Sequence, residues 1–153
     1  MFSREEASHI KQEFWTAFGR YMSPILSAEG VKTNWVNYHT RVKDVYFRMD
    51  AGKKSATISI SMEHGDPDMQ ELYFEQFLEL KDHLENELQE TWEWQLKSSG
   101  DDGKTITKIY KELADASVFN RDDWPELISF FKQRLIALDR FWENAKYSFQ
   151  NLR

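Results

Sequence analysis

Residues 44–62 carry two runs of strict alternation. From Asp44 to Asp50, Val45, Phe47 and Met49 are apolar while Tyr46 and Arg48 are polar. From Ala56 to Met62, Ala56, Ile58, Ile60 and Met62 alternate with Thr57, Ser59 and Ser61. Ala51-Gly52-Lys53-Lys54 separates them as a turn. A side-chain period of two places each apolar set on one face, so the pair predicts a β-hairpin with one apolar and one polar side. A lone hairpin is marginal in water, and its apolar side must be covered by other elements. That requirement constrains everything else in the chain.

Three segments have the period to supply the cover. Ser3-Arg4-Glu5-Glu6 reads as a capping box, and Ile10, Phe14, Phe18, Tyr21, Met22 and Ile25 follow at helical spacing. A first helix is predicted from Arg4 to Met22, ended by Pro24. Asp66 is a good N-cap and Pro67 suits the first helical position. Met69, Tyr73, Phe77, Leu80, Leu84 and Leu88 then form one continuous stripe, with Glu71, Glu75, Glu79 and Asp82 on the outer surface. The third stripe runs Trp124, Ile128, Phe131, Leu135, Leu138, Trp142, Ala145 and Phe149, a sustained heptad register behind a cap at Asp122 or Asp123. It predicts a long core helix, with a second reading in which its outer flank pairs with another copy as a homodimer.

Trp92, Trp94 and Leu96 alternate with Glu93, Gln95 and Lys97. Ser99 to Gly103 is a loop, and Thr105 to Glu112 is rich in Thr and Ile. Ile106, Ile109, Tyr110 and Leu113 also fit a helix, but a short loop after a strand favours a hairpin return. Asn34 to Thr40 is expected to add a further short strand. The predicted order is α-ββ-α-ββ-α, an α+β fold with a mainly antiparallel four-stranded sheet packed against long helices. A single domain over 1–153 suits a chain of 153 residues.

Composition excludes several classes. Eleven Phe, six Trp and six Tyr supply too much apolar area for a disordered chain. With no cysteine, disulfides, thiolate zinc sites and thiol nucleophiles are ruled out. Met1 to Glu6 is polar where a signal peptide would be apolar, and no run approaches a membrane span, so a cytoplasmic protein without membrane contact is expected. A net charge of −6 argues against strong non-specific nucleic-acid binding. The charge is uneven, however. Residues 63–93 hold eleven acids against Lys81, while 32–54 hold six bases against Asp44 and Asp50.

No phosphate-loop, dinucleotide or serine-elbow motif occurs, and the four histidines show no metal-ligand spacing, so no cofactor is implied. A carboxylate-metal hydrolase would have to use Asp44, Asp50 and Glu63, but glycine occupies the place of its usual lysine in Glu63-His64-Gly65. The richest segment is Trp35 to Lys43. Arg41 and Arg48 suit a carboxylate or phosphate, and Trp35, Tyr38 or Tyr46 suit stacking on a base or peptide. In the competing reading, Trp35 and Tyr38 anchor a loop and the bases pair with the acidic helix. Trp35, Asn37, Tyr38, His39, Arg41, Arg48 and Lys97 are the expected contact surface of a non-catalytic binding module, with nucleic acid or a nucleic-acid-processing protein as partner. The sheet's polar side, with Tyr46, Arg48, Thr57, Ser59, Ser61, Gln95 and Lys97, is a second candidate. A third is a small-ligand pocket between helix and sheet at Trp92 and Trp94.

Several landmarks occur together: Phe14-Trp15 with Phe18; Trp35 and Tyr38 with Val42-Lys43-Asp44; Tyr73 to Phe77; Trp92-Glu93-Trp94; and Asp123-Trp124-Pro125 leading to Leu138-Asp139-Arg140-Phe141-Trp142. Over nearly its whole length the chain resembles an uncharacterised bacterial family filed as a domain of unknown function. Longer members join this domain to an upstream segment that looks like a restriction endonuclease or nuclease. The resemblance implies an accessory role near DNA processing or defence, and supplies no catalytic residues. This chain departs from those members by opening at Met1 directly on the first helix.

Overall fold

The computed structural model describes residues 2–100 and 102–152. The elements are α1 (Arg4–Met22), β1 (Val45–Ala51), β2 (Ser55–Met62), α2 (Pro67–Glu79), α3 (Lys81–Leu88), β3 (Glu93–Ser99), β4 (Thr105–Ala114) and α4 (Trp124–Ala145), with short 3-10 turns on either side of α4. The fold is α+β, as the alternations and stripes predict. The strand order is β1-β2-β4-β3, and every pairing is antiparallel. The two hairpins therefore meet through their second strands.

Register places the apolar residues in rows. Phe47, Ile60, Ile109 and Trp94 face one another across all four strands. Here α2 and α4 pack against the sheet, while α1 and α3 pack against α4. Helix α4 is the keystone. Phe131, Leu135, Leu138, Phe141 and Trp142 are fully or almost fully buried, and Phe77 of α2 stacks on Phe141 and Trp142. The outer flank of α4 carries Glu126, Ser129, Gln133 and Arg140, a polar strip.

The capping box at Ser3 and Glu6 is present with both hydrogen bonds. Asp66 caps α2 through Asp68 N–H, with Pro67 at the start. Asp123 precedes α4 but does not cap it; its carboxylate instead accepts from Ser117 N–H.

Three further expectations are corrected. The single stripe from Met69 to Leu88 is two helices, broken at Leu80, whose N–H bonds Phe77 O in a tightened turn. The break lets Phe77 face Phe149 while His83 turns onto Phe141 of α4. Asn34–Thr40 is not a strand; the whole stretch from Ser23 to Asp44 has neither helix nor strand. Lys97 leaves the polar face. The β3/β4 register shifts between Gln95 and Ser98, Lys97 takes φ 52°, and its N–H bonds Thr107 Oγ1. The extra residue of a β-bulge reverses the facing of the side chains beyond it. Lys97 consequently reaches Glu71 and Asp68 of α2, on the helix side.

Candidate functional site

The long connection from Ser23 to Asp44 holds most of the residues singled out above, and its shape comes from a few anchors. Trp35 is 2 % exposed and donates its Nε1–H to Ile25 O at 2.9 Å, pinning the loop onto itself. The ring of Tyr38 stacks on Phe47 of β1 at 5.0 Å between centroids. Thr40 is buried: its hydroxyl reaches Val45 O at 2.6 Å and accepts from Val42 N–H. Gly19 of α1 gives the loop room, since a Cβ there would stand 3.3 Å from Val36 Cγ2.

Helix α4 supplies the other half of the anchorage. Asp139, Trp142 and Lys146 recur at i, i+3 and i+7, so they share one face. Asp139, only 5 % exposed, accepts from Tyr38 Oη at 2.6 Å and from Ala28 N–H at 2.7 Å. Trp142 Nε1–H donates to Thr40 O at 2.7 Å. Lys146, at the end of the helix, pairs with Glu29 at 2.7 Å. Burial, followed by the hydrogen bond to the Asp139 carboxylate, holds the Tyr38 hydroxyl far above the ordinary tyrosine range. Tyr38 is therefore a fixed donor rather than a titrating group.

Between these anchors the backbone at Arg41 and Asp44 is left-handed, with φ 65° and 66°. A non-glycine residue pays roughly 1–2 kcal/mol for that conformation. It persists because the bonds at Thr40, Val42 and Val45 leave the turn no alternative. The result is a ridge of Tyr38 to Arg41 with a concavity on each side. One is a cavity of about 150 Å³ between loop and α4, where Lys32, Asn34, His39 and Arg41 meet Asp139 and Lys146. The other is a groove in which Asn37, His39, Arg41 and Lys43 lead to Tyr46 on β1.

At Tyr46 the groove opens onto the polar side of the sheet. There Tyr46, Ser61, Lys108 and Gln95 form one row, and Arg48, Ser59, Tyr110 and Glu93 the next. The Arg48 guanidinium lies 4.1 Å from the centre of the Tyr46 ring, and Lys108 Nζ 4.7 Å from that of Tyr110. Arg48 also forks onto Glu63 at 2.9 and 3.0 Å. Burial raises the Glu63 pKa, but the bonds from Arg48 and Ser61 outweigh it and leave the carboxyl below its usual value.

Of the seven residues expected at a contact surface, Asn37, Tyr38, His39 and Arg41 come together on the ridge and in its concavities. Arg48 lies further along the same side, stacked on Tyr46. Trp35 is buried and anchors the loop. Lys97 is displaced by the bulge. Asp44, Asp50 and Glu63 form no cluster: among the described residues no group of three His, Cys, Asp or Glu side chains could hold a metal ion. Trp92 donates to Glu90 and is buried, and Trp94 packs edge-on against Phe74. Sequence reasoning missed Asp139 and Lys146. The polar Asp139 inside a heptad stripe was the available signal, because an acid on a buried helix face needs a partner.

The architecture is a two-layer α+β module, with helices covering one side of an antiparallel sheet and the other side left open. The chain belongs to the family described as a domain of unknown function, DUF4268, whose model matches residues 10–146. No curated protein and no solved structure matches the chain. No helix among the described residues is long and apolar enough to cross a membrane.

Proposed function

We propose that the chain is a non-catalytic binding module that holds a single-stranded nucleic acid beside a nucleic-acid-processing enzyme. The observation that carries this reading is the continuity of the groove at Asn37, Arg41 and Lys43 with the open sheet side at Tyr46 and Arg48. Cations along such a path neutralise phosphates, and aromatic rings beside them stack on bases without demanding a sequence. Two cation–aromatic pairs, Arg48 on Tyr46 and Lys108 on Tyr110, stand on that side in neighbouring rows. The resemblance to bacterial chains with an upstream restriction-endonuclease-like segment supports the same setting, in a bacterial cytoplasm. The overall charge of −6 makes the predicted binding modest and strongly salt-dependent.

Fluorescence anisotropy with a labelled single-stranded oligonucleotide at low and physiological salt tests the reading. Arg41→Glu with Lys43→Glu should weaken binding by about tenfold or more, since each reversal removes a phosphate contact and adds a repulsion. Both side chains are exposed, so the melting temperature should stay nearly unchanged. A folded double variant that binds as the parent does removes the assignment.

A further inference from the structure

The cavity between the loop and α4 has an imbalance of hydrogen-bonding groups that the groove does not explain. Its buried carboxylate is spent. Asp139 takes Tyr38 and Ala28 on its two oxygens, and Glu29 takes Lys146 on one of its own. The Asn34 side-chain oxygen accepts from Asn37 N–H at 3.1 Å, which leaves its amide NH2 as the free end. The donors are not spent. Among the described residues, Arg41 and Lys32 make no hydrogen bond or ion pair, although both line the cavity. Arg41 lines this cavity together with Glu29 and Tyr38. Lys146 uses one of its three donors on Glu29 and is only 12 % exposed. Lys32, Arg41 and Lys146 against Glu29 and Asp139 leave one positive charge in excess.

A concave set in which unused donors outnumber unused acceptors, with one positive charge in excess, fits an anion. Donors here converge from the loop at Lys32 and Asn34, from the ridge at Arg41, and from α4 at Lys146. A planar carboxylate has two oxygens in one plane, whereas a terminal phosphate offers three around a tetrahedral centre and more charge. We infer that this cavity binds the terminal oxyanion of a phosphate monoester, seated on Arg41, Asn34 and Lys32. Where the monoester is the end of a nucleic-acid strand, the inference rests on the reading above: the end sits in the cavity and the chain passes over the ridge into the groove. The same chemistry also fits a free mononucleotide or inorganic phosphate.

The test uses the whole chain and three arms. Thermal shift is followed with inorganic phosphate and with adenosine monophosphate. Anisotropy compares two single-stranded oligonucleotides that differ only in a terminal phosphate or hydroxyl. Each arm is repeated with Asn34→Asp and with Arg41→Ala. Asn34→Asp keeps the oxygen that accepts from Asn37 N–H and replaces the free donor with an acceptor. Arg41→Ala removes the fork but keeps an L-residue at the left-handed position; circular dichroism verifies that both variants are folded.

The phosphorylated oligonucleotide should bind about tenfold tighter than its hydroxyl twin, and either substitution should abolish that difference. Stabilisation by adenosine monophosphate or phosphate alone, lost in both variants and without oligonucleotide binding, supports the site with a free ligand and ends the strand-binding reading. Equal binding of the two oligonucleotides without any phosphate-dependent stabilisation overturns the cavity as a phosphate site and leaves the strand-binding reading standing. A phosphate response that persists in both folded variants also overturns it, because the ion is then bound elsewhere.

Discussion

The bond between Tyr38 and Asp139 joins residues 101 positions apart and closes the loop onto α4. Its energy can be measured by a double-mutant cycle with Tyr38→Phe and Asp139→Ala. A hydrogen bond to a charged partner contributes roughly 1.5–3 kcal/mol. Tyr38→Phe removes one such bond and keeps the ring stacked on Phe47, so about 2 kcal/mol should be lost. Asp139→Ala removes the bonds to both Tyr38 and Ala28, but Ala28 is exposed and its N–H can turn to water. A loss of about 3 kcal/mol is expected. For a chain of this size each kcal/mol moves the melting temperature by roughly 2–4 °C, so Tyr38→Phe should melt about 4–8 °C lower. The cycle should return a coupling of about 1–2 kcal/mol, measured by urea unfolding followed by circular dichroism.

The same bond has a pH signature with a definite sign. Burial and the Asp139 carboxylate raise the Tyr38 pKa in the folded state, whereas the unfolded chain titrates near the usual value of about 10. Below that value the contribution is complete. Above it the unfolded chain loses a proton that the folded chain keeps, so stability falls as pH rises. Tyr38→Phe should flatten this alkaline decline. A coupling under about 0.5 kcal/mol, together with an unchanged alkaline slope, would refute the claim that this pair holds the loop.

Three further outcomes follow from other parts of the molecule. Phe77→Ala, at a fully buried position among Phe141, Trp142 and Phe149, should cost about 3–5 kcal/mol in chemical denaturation. Arg48→Ala releases Glu63, but Arg48 is 54 % exposed, so no more than about 1 kcal/mol should be lost. Because Glu63 has a lowered folded pKa, that contribution is present above the ordinary carboxyl pKa and disappears as pH falls through the folded value; an acid titration of stability should show a shallower slope in the variant. Gln89→Gly relieves the left-handed residue at the end of α3, with φ 56°, and should raise stability by about 0.5–1 kcal/mol in a thermal melt.

The first hairpin, α1 and α4 are legible without coordinates because each carries its own period over many residues, whereas the second hairpin is read from its short loop, since Ile106, Ile109, Tyr110 and Leu113 also fit a helix. Val45 to Met62 can satisfy only a strand pattern, and Trp124 to Ala145 only a helical one. The break at Leu80 is different. No proline or glycine marks it, and its cause lies in the separate partners of Phe77 and His83. The bulge that turns Lys97 toward Glu71 is equally silent in an alternating run.

The candidate site divides in the same way. Asn37, Tyr38, His39 and Arg41 stand out locally by residue type and lie close together in the chain. Asp139 and Lys146 join them from about a hundred positions away, and Trp35 drops out because its indole finds Ile25 O inside the fold. Local periodicity determined which segments became helices and strands, since each residue's facing depends only on its near neighbours. Only the tertiary structure decided which donors remained unpaired around the cavity, because pairing depends on distance in space, and distant parts of a chain meet only when the apolar faces have packed.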